Sequence, residues 1–276
     1  MQQILKSYEL DQQLLNKGFV VVPFLNSEKV QSLKLFFEEN HPSTIPSFYA
    51  SAHTQDLTFR KKMNEKIRSF FEESINDYFQ NCQPLGGSFV VKSNQGSDVL
   101  KAHQDWNIVD ESRFRSFNIW VPLLDLTVQN GAIAVLPESH TWVSNFRGPN
   151  IHDDFQSYTE ALWEMMETLK MNAGEALIYD HRLFHASHAN KSDSCRVACV
   201  YGVIPKEAEM YYYFGNGDQI EMYESNVDFF MNGNIQMGNQ QLKLVRTFQR
   251  PKLDLSQLPF YTQKIVKPSF FRRLFS

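Results

Sequence analysis

The stretch Gly174–Ile204, GEALIYDHRLFHASHANKSDSCRVACVYGVI, contains two β-type runs separated by a polar loop and preceded by the turn Ala173-Gly174-Glu175. The first run covers Glu175 to Tyr179 and the second Arg196 to Ile204. If the first run stays extended beyond Tyr179, period-two alternation puts Leu177, Tyr179, His181, Leu183, His185 and Ser187 on one face and His188 on the other. In the second run Arg196, Ala198 and Val200 share a face, while Cys195, Val197 and Cys199 point away. An arginine among apolar neighbours costs free energy unless an anion meets it. That anion is either a bound ligand or a structural partner such as Asp180 or Asp193.

Upstream, short β runs recur at Phe89–Lys92, Phe117–Leu124 and Ala132–Leu136, with a turn at Asn130-Gly131. Earlier still, Gly18–Phe24 reads as a strand, Asn26 or Ser27 as a helix cap, and Val30, Leu33 and Phe37 as a helical face stopped by Pro42. A second amphipathic helix runs from about Leu57 to Phe79, with Met63, Ile67, Phe70, Phe71, Ser74 and Tyr78 in one stripe. A helical insertion over Phe155–Lys170 carries Leu162, Met165, Met166 and Leu169 on a face. Helices followed by many short strands predict a mainly β (α+β) fold, a sandwich or cupin-like jelly roll with helices packed on one sheet. We read one domain, with a helical region over about 1–85, a β core over about 86–205 and an extension over 206–276.

Composition narrows the function classes. The chain is 42% apolar and 14% aromatic with 23 Phe, enough for a large core, and 21% charged, too few for disorder. A net charge of -4 gives no bulk attraction for nucleic acid. No apolar run reaches the ~18 residues of a membrane span, and the first ten residues lack a signal-peptide core. Cys195 and Cys199 would lie about 13 Å apart on one strand, too far for a disulfide, and free thiols suit a reducing, cytoplasmic setting.

His103-Gln104-Asp105 offers an imidazole and a carboxylate two residues apart, on one side of an extended segment. By itself the spacing is weak: His152-Asp153-Asp154 repeats it in a polar stretch that reads as a solvated loop. His103 and Asp105 could equally tie down a surface loop. A third donor would come from His185 or His181. Two imidazoles and one carboxylate on a single face are the donor set of non-haem Fe(II) oxygenases, which keep the opposite positions open.

The chain resembles the phytanoyl-CoA dioxygenase family of iron(II)/2-oxoglutarate oxygenases. The resemblance rests on His103-Gln104-Asp105-Trp106, Asn118-Ile119-Trp120-Val121-Pro122-Leu123, Asn130-Gly131-Ala132 leading to Val135–His140, Gly174–Tyr179, and His185-Ala186-Ser187 with Arg196. It covers roughly residues 85 to 205. It implies a double-stranded β-helix, with His103, Asp105 and His185 on iron and Arg196 holding the far carboxylate of 2-oxoglutarate. It also implies Ser187 as a hydroxyl partner of that carboxylate, Trp120 as an aromatic near the cosubstrate, and Phe89 and Lys92 on a nearby contact strand. Related halogenases replace the iron-bound carboxylate with a small residue, whereas Asp105 is retained, so hydroxylation with Fe(II), 2-oxoglutarate and O2 is the expected chemistry.

The expected substrate is a small organic molecule, with Trp106 and Asn107 beside the metal mouth and Tyr211–Phe214 as a candidate aromatic wall. No phosphate or adenosine cradle supports a coenzyme A thioester. The rival readings are a cupin-like metalloenzyme that does not use 2-oxoglutarate and a non-catalytic jelly roll that captures ligand. Along Lys264–Ser276, Phe270, Phe271, Leu274 and Phe275 share a helical face beside Lys267, Arg272 and Arg273, a pattern compatible with membrane contact. Packing on the domain or fraying is the favoured reading.

Overall fold

The computed structural model describes residues 3–41, 45, 47–94, 99–232, 242–256 and 258–259; Pro42 and the basic C-terminal stretch lie outside them. The chain opens with α1 (Tyr8–Lys17), which the sequence reading did not foresee: Ser7 accepts from Leu10 N at its start, and Gly18, at φ +84°, closes its end. Then follow β1 (Phe19–Pro23), α2 (Ser27–Asn40), β2 (Phe48–Ala50) and α3 (Leu57–Tyr78). Asn26 caps α2 by accepting from Lys29 N at 2.9 Å, and Asp56 caps α3 by accepting from Phe59 N at 3.0 Å.

The β core comprises β3 (Cys82–Lys92), β4 (Leu100–His103), β5 (Phe117–Pro122) and β6 (Ile133–Val135). The helix expected over 155–170 shrinks to α4 (Thr159–Glu164), after which β7 (Glu167–Thr168) pairs with β6. That pairing and the Leu169 N–Ile133 O bond at 2.9 Å use backbone groups that a longer helix would have kept for itself. Next come β8 (Glu175–Asp180), β9 (His185–Ser187) and β10 (Arg196–Pro205). The chain ends in β11 (Tyr211–Asn216), β12 (Gln219–Glu224), α5 (Val227–Asn232) and β13 (Leu244–Gln249).

Every strand pair is antiparallel. A six-stranded sheet in the order β1-β8-β5-β10-β3-β2 faces a four-stranded sheet ordered β4-β9-β6-β7, which is a jelly roll. A three-stranded sheet, β11-β12-β13, lies beside them in the chain order. Alternation along the major sheet sorts its side chains into two layers. Outward, Phe89, Ile119, Ile178, Val197 and Cys199 meet Leu33 and Phe37 of α2 and Met63, Ile67 and Phe71 of α3. Inward, Trp120, Leu177, Tyr179 and Ala198 meet Ile133, Val135 and Leu183 from the minor-sheet side.

The extended run supposed to carry Tyr179 through His185 breaks. Residues 181–184 turn, and β8 and β9 belong to different sheets. Gly174 sets the start of β8 at φ +87°, where a Cβ would come within 2.3 Å of Leu25 O, so the turn there requires glycine.

Phe89 was expected near the cosubstrate, yet it is fully buried on the helix side of β3, stacked near Phe36 and Phe37. Phe89→Ala should lower the unfolding free energy by about 3–5 kcal/mol in urea titration. Ligand affinity at the inner face should stay unchanged.

Candidate active site

β4 and β9 bring the two imidazoles together. In their antiparallel register His103 stands opposite His185, and the ring centroids are 4.2 Å apart. Asp105 lies two residues beyond the end of β4, with Oδ1 3.8 Å from His185 Nε2. One ligand atom from each of His103, Asp105 and His185 falls within 4.8 Å of the others. Donors about 2.0–2.2 Å from a shared ion span at most ~4.4 Å, so a few tenths of an ångström of closure would seat a divalent cation.

The orientation of each donor is fixed from behind. His103 Nδ1 lies 2.8 Å from Lys101 O and His185 Nδ1 lies 3.0 Å from Leu183 O. A carbonyl can only accept, so both Nδ1 atoms carry a proton, and Nε2 is the ring atom of each that could serve a metal. Asp105 Oδ2 accepts from Asn118 Nδ2 at 2.8 Å and Tyr179 OH at 3.1 Å, leaving Oδ1 for the ion. Burial would raise the Asp105 pKa, but the His185, His181 and His103 imidazoles and the Tyr179 hydroxyl outweigh it and hold it at about 2. Burial, reinforced by His103, pushes His185 down to about 4. Near neutral pH the carboxylate is charged and this imidazole neutral, as metal binding requires.

A cavity of about 190 Å³ adjoins the three donors, walled by Val90, Leu100, Trp120, Ile133 and Val200. Arg196 and Ser187 also line it. Arg196 is 3% exposed, its guanidinium carbon sits 5.2 Å from the Trp120 ring centroid, and Nε has no partner among the described residues. Burial pushes its pKa down to about 10, which still leaves it charged at neutral pH. Asp180 is not its partner: that carboxylate is taken by Arg115 at 2.5 Å and Arg182 at 3.0 Å. Ser187 Oγ is buried with no partner among the described residues.

Other expectations land elsewhere. Lys92 is on the inner side of β3, but its ammonium donates to Ser187 O at 3.1 Å and His188 O at 2.5 Å, fixing the strand that carries Ser187. His181 is buried in the turn after β8 and does not belong to the donor group. Asn107 is 4% exposed, and its Oδ1 accepts from Arg147 N at 2.5 Å, so it ties two loops together. Trp106 lines a second cavity of about 230 Å³ that shares His103 with the first. His152 and Asp153 border that cavity, and Asp154 pairs with Arg250. Tyr213 packs on Phe146 at 5.3 Å, behind the cavity. Asn118 and Tyr179 were missed as functional side chains; a polar residue at an inward position of the apolar run Phe117–Pro122 was the available signal.

Residues 16–198 match the family model for phytanoyl-CoA dioxygenase (PhyH), more than half of the chain. The chain belongs to the phytanoyl-CoA dioxygenase family. Among curated relatives, Dioxygenase trt7 of Aspergillus terreus is 27% identical over 128 residues, 44% of this chain and 41% of the relative. Dioxygenase andF of Emericella variicolor is 29% identical over 141 residues, 49% of this chain and 44% of the relative. The matches thus span less than half of those relatives' own length. The phytanoyl-CoA dioxygenase fold is also shared with solved structures. The carbocyclase SnoK from nogalamycin biosynthesis superposes with a TM-score of 0.54 at 18% identity, covering 74% of this chain and 86% of that one. The epimerase SnoN, solved in complex with Fe3+, alpha ketoglutarate and nogalamycin RO, gives 0.51 at 17%, covering 73% and 84%. Among the described residues, no helix is long and apolar enough to cross a membrane.

The depressed His185 pKa makes a testable statement about the metal-free protein. An unfolded imidazole titrates near 6.5 and the folded one near 4, so the unfolded state binds the extra proton between these values. This contribution is complete above pH 6.5 and declines, by on the order of 3 kcal/mol, as pH falls to about 4. Urea unfolding at pH 7, 5.5 and 4 should show that decline. It should be reduced in His185→Gln; an identical pH slope in the variant would refute the assignment.

Proposed function

We propose that the chain is an Fe(II)/2-oxoglutarate-dependent dioxygenase that hydroxylates a small organic substrate and releases succinate and CO2. Arg196 carries this reading. It is a buried cation that faces the same cavity as the donor triad, and no carboxylate of the described residues meets it. A cupin-like site without 2-oxoglutarate would pair that arginine with protein. A passive binding cavity would not need three donors, two of them imidazoles with their proton-bearing nitrogens turned away.

His103, Asp105 and His185 would hold the iron, which when bound supplies the redox chemistry with O2. Arg196 would hold the distal carboxylate of 2-oxoglutarate by charge-assisted hydrogen bonds, and Ser187 Oγ would add a neutral one. Trp120 stiffens the guanidinium from one side. The apolar wall of Val90, Ile133 and Val200 excludes water and strengthens the clamp. Asn118 and Tyr179 keep Asp105 Oδ1 turned to the ion by occupying Oδ2. Because a carboxylate fills the third protein position, no place is left for a halide, and oxygen transfer to a C–H bond is favoured. Overall, one oxygen atom enters the substrate as hydroxyl and the other enters the succinate formed as 2-oxoglutarate loses CO2.

The primary substrate would occupy the second cavity, beyond His103. Trp106, Phe146 and Ile151 offer apolar faces there. Gln104 Oε1 is buried without a donor, and Asp153 adds a carboxylate. The one arginine among the described residues of the wall, Arg147, is already met by Glu111. Acceptors without a spare arginine or lysine suit a neutral or amine-bearing molecule with hydroxyl or amino donors, and they oppose the phosphates of a coenzyme A thioester. The free cysteines Cys82, Cys195 and Cys199 support a reducing, cytoplasmic setting.

Anaerobic addition of Fe(II) and then 2-oxoglutarate should produce a weak visible charge-transfer band, and His185→Ala should abolish it. Arg196→Met should weaken 2-oxoglutarate binding at least about 30-fold with Fe(II) affinity retained. Ser187→Ala should cost about tenfold. Absence of the band in the wild type, or equal 2-oxoglutarate affinity in Arg196→Met, would sink the proposal.

A further inference from the structure

We propose that Arg147 is a positioning residue for the metal site, holding Asp105 by its main chain while Glu111 locks the guanidinium in place. The inference rests on the reading that the triad binds metal. Residues 104–108, which include Asp105, belong to no strand or helix. Asp105 has one backbone–backbone tie among the described residues, its N–H to His181 O at 2.9 Å. Without a donor at its carbonyl, the main chain of Asp105 would be held by that amide alone, and the carboxylate only by Asn118 and Tyr179 at Oδ2.

Arg147 Nε donates to that carbonyl at 2.6 Å. The rest of the guanidinium is spoken for. Nη2 donates to Glu111 Oε1 at 2.6 Å and Nη1 to Glu111 Oε2 at 3.1 Å, while Nη1 also reaches Asn145 O at 2.9 Å. The two backbones are laced together as well: Asn107 N donates to Arg147 O at 3.2 Å, and Arg147 N donates to Asn107 Oδ1 at 2.5 Å. The Arg147 and Glu111 side chains are only 8% and 5% exposed.

A buried ion pair of this kind is poor value as a stabiliser, because desolvation offsets most of its attraction and apolar replacements of similar volume are often neutral or better. What apolar residues cannot do is donate to Asp105 O. Lysine could donate to that carbonyl, but its compact ammonium cannot at the same time make a fork to the Glu111 carboxylate and hold a third acceptor in the same plane.

The segment that carries Arg147 is itself held from behind. Phe146 packs on Tyr213 at 5.3 Å and Phe248 at 4.9 Å, residues of β11 and β13. A Cβ on Gly148 would lie 2.3 Å from Tyr213 O, so the loop lies directly against β11. The three-stranded sheet thereby acts on the metal site at one remove: it fixes the loop, the loop fixes Arg147, and Arg147 fixes the carbonyl of a metal-binding residue.

The experiment compares wild type, Arg147→Lys, the double variant Arg147→Met/Glu111→Leu, and His185→Ala as a control that removes a donor. Two quantities are measured anaerobically: thermal melting of the metal-free protein and Fe(II) affinity by titration. The double variant should melt near the wild-type temperature yet bind Fe(II) about 10–100-fold more weakly, and the Fe(II)–2-oxoglutarate band should shift or broaden. Arg147→Lys should show the same loss in smaller measure. A double variant that folds and binds Fe(II) as the wild type does overturns the inference while leaving the function standing. If the double variant does not fold, undiminished Fe(II) affinity in folded Arg147→Lys overturns it instead. A wild type that binds no Fe(II), indistinguishable from His185→Ala, overturns the metal reading and this inference together.

Discussion

The site depends on a positive charge that no carboxylate of the described residues neutralises. Arg196 sits on the inner face of β10, 3% exposed, in a cavity wall whose apolar part includes Val90, Leu100, Trp120, Ile133 and Val200 and whose polar part includes the donor triad with Asn118 and Ser187. Leaving a buried ionic group without an anion costs several kcal/mol, and a fold keeps such a cost only where something outside the chain removes it. The neighbouring cations show the contrast. Arg115, Arg147 and Arg182 all have carboxylates within 3.0 Å. Those three arginines are paired with acids, whereas Arg196 borders a cavity and meets no carboxylate of the described residues.

That arrangement was legible in the sequence to an uneven degree. Alternation in Arg196–Val200 assigned the correct face to the arginine, because β10 is a regular central strand and period two holds along it. The same rule misled between Tyr179 and His185, where the chain turns and crosses from one sheet to the other. His185 and Ser187 do share a face, but by virtue of β9 and not as a continuation of β8. β4 was invisible for a related reason: four residues with one buried side chain, Ala102, carry too little pattern to register. The helix expected over 155–170 had apolar residues at helical spacing, yet Leu169 is used in a bond to the minor sheet, and tertiary pairing overrode local periodicity. Resemblance to the family supplied what periodicity could not, the choice of His185 over His181.

Phe89 and Lys92 show the limit of carrying roles across a short motif. They are three apart on one strand, so alternation must send them to opposite faces, and both cannot meet one cosubstrate. Phe89 joins the helix-side core. Lys92, on the inner side, is consumed by two carbonyls of the strand that bears Ser187. Its contribution to the cavity is indirect, through the placement of that strand.

The donors themselves differ in how they are held, and the difference has a physical cause. His103 and His185 lie on paired strands, where the ladder sets their separation and each ring needs one further bond, to the carbonyl two residues back. Asp105 has left the strand, since a third donor aimed at the same point cannot come from alternation on β4: residue 104 points away, and 105 lies beyond the last ladder bond. Its position must therefore be built from side chains. Asn118 and Tyr179 grip the carboxylate from the major sheet, Arg147 grips the carbonyl from the loop after β6, and His181 O takes the amide from the turn after β8. Three separate parts of the chain converge on one residue because no regular element is there to place it, and substitutions among those supports should be felt at the metal well before they are felt in the fold.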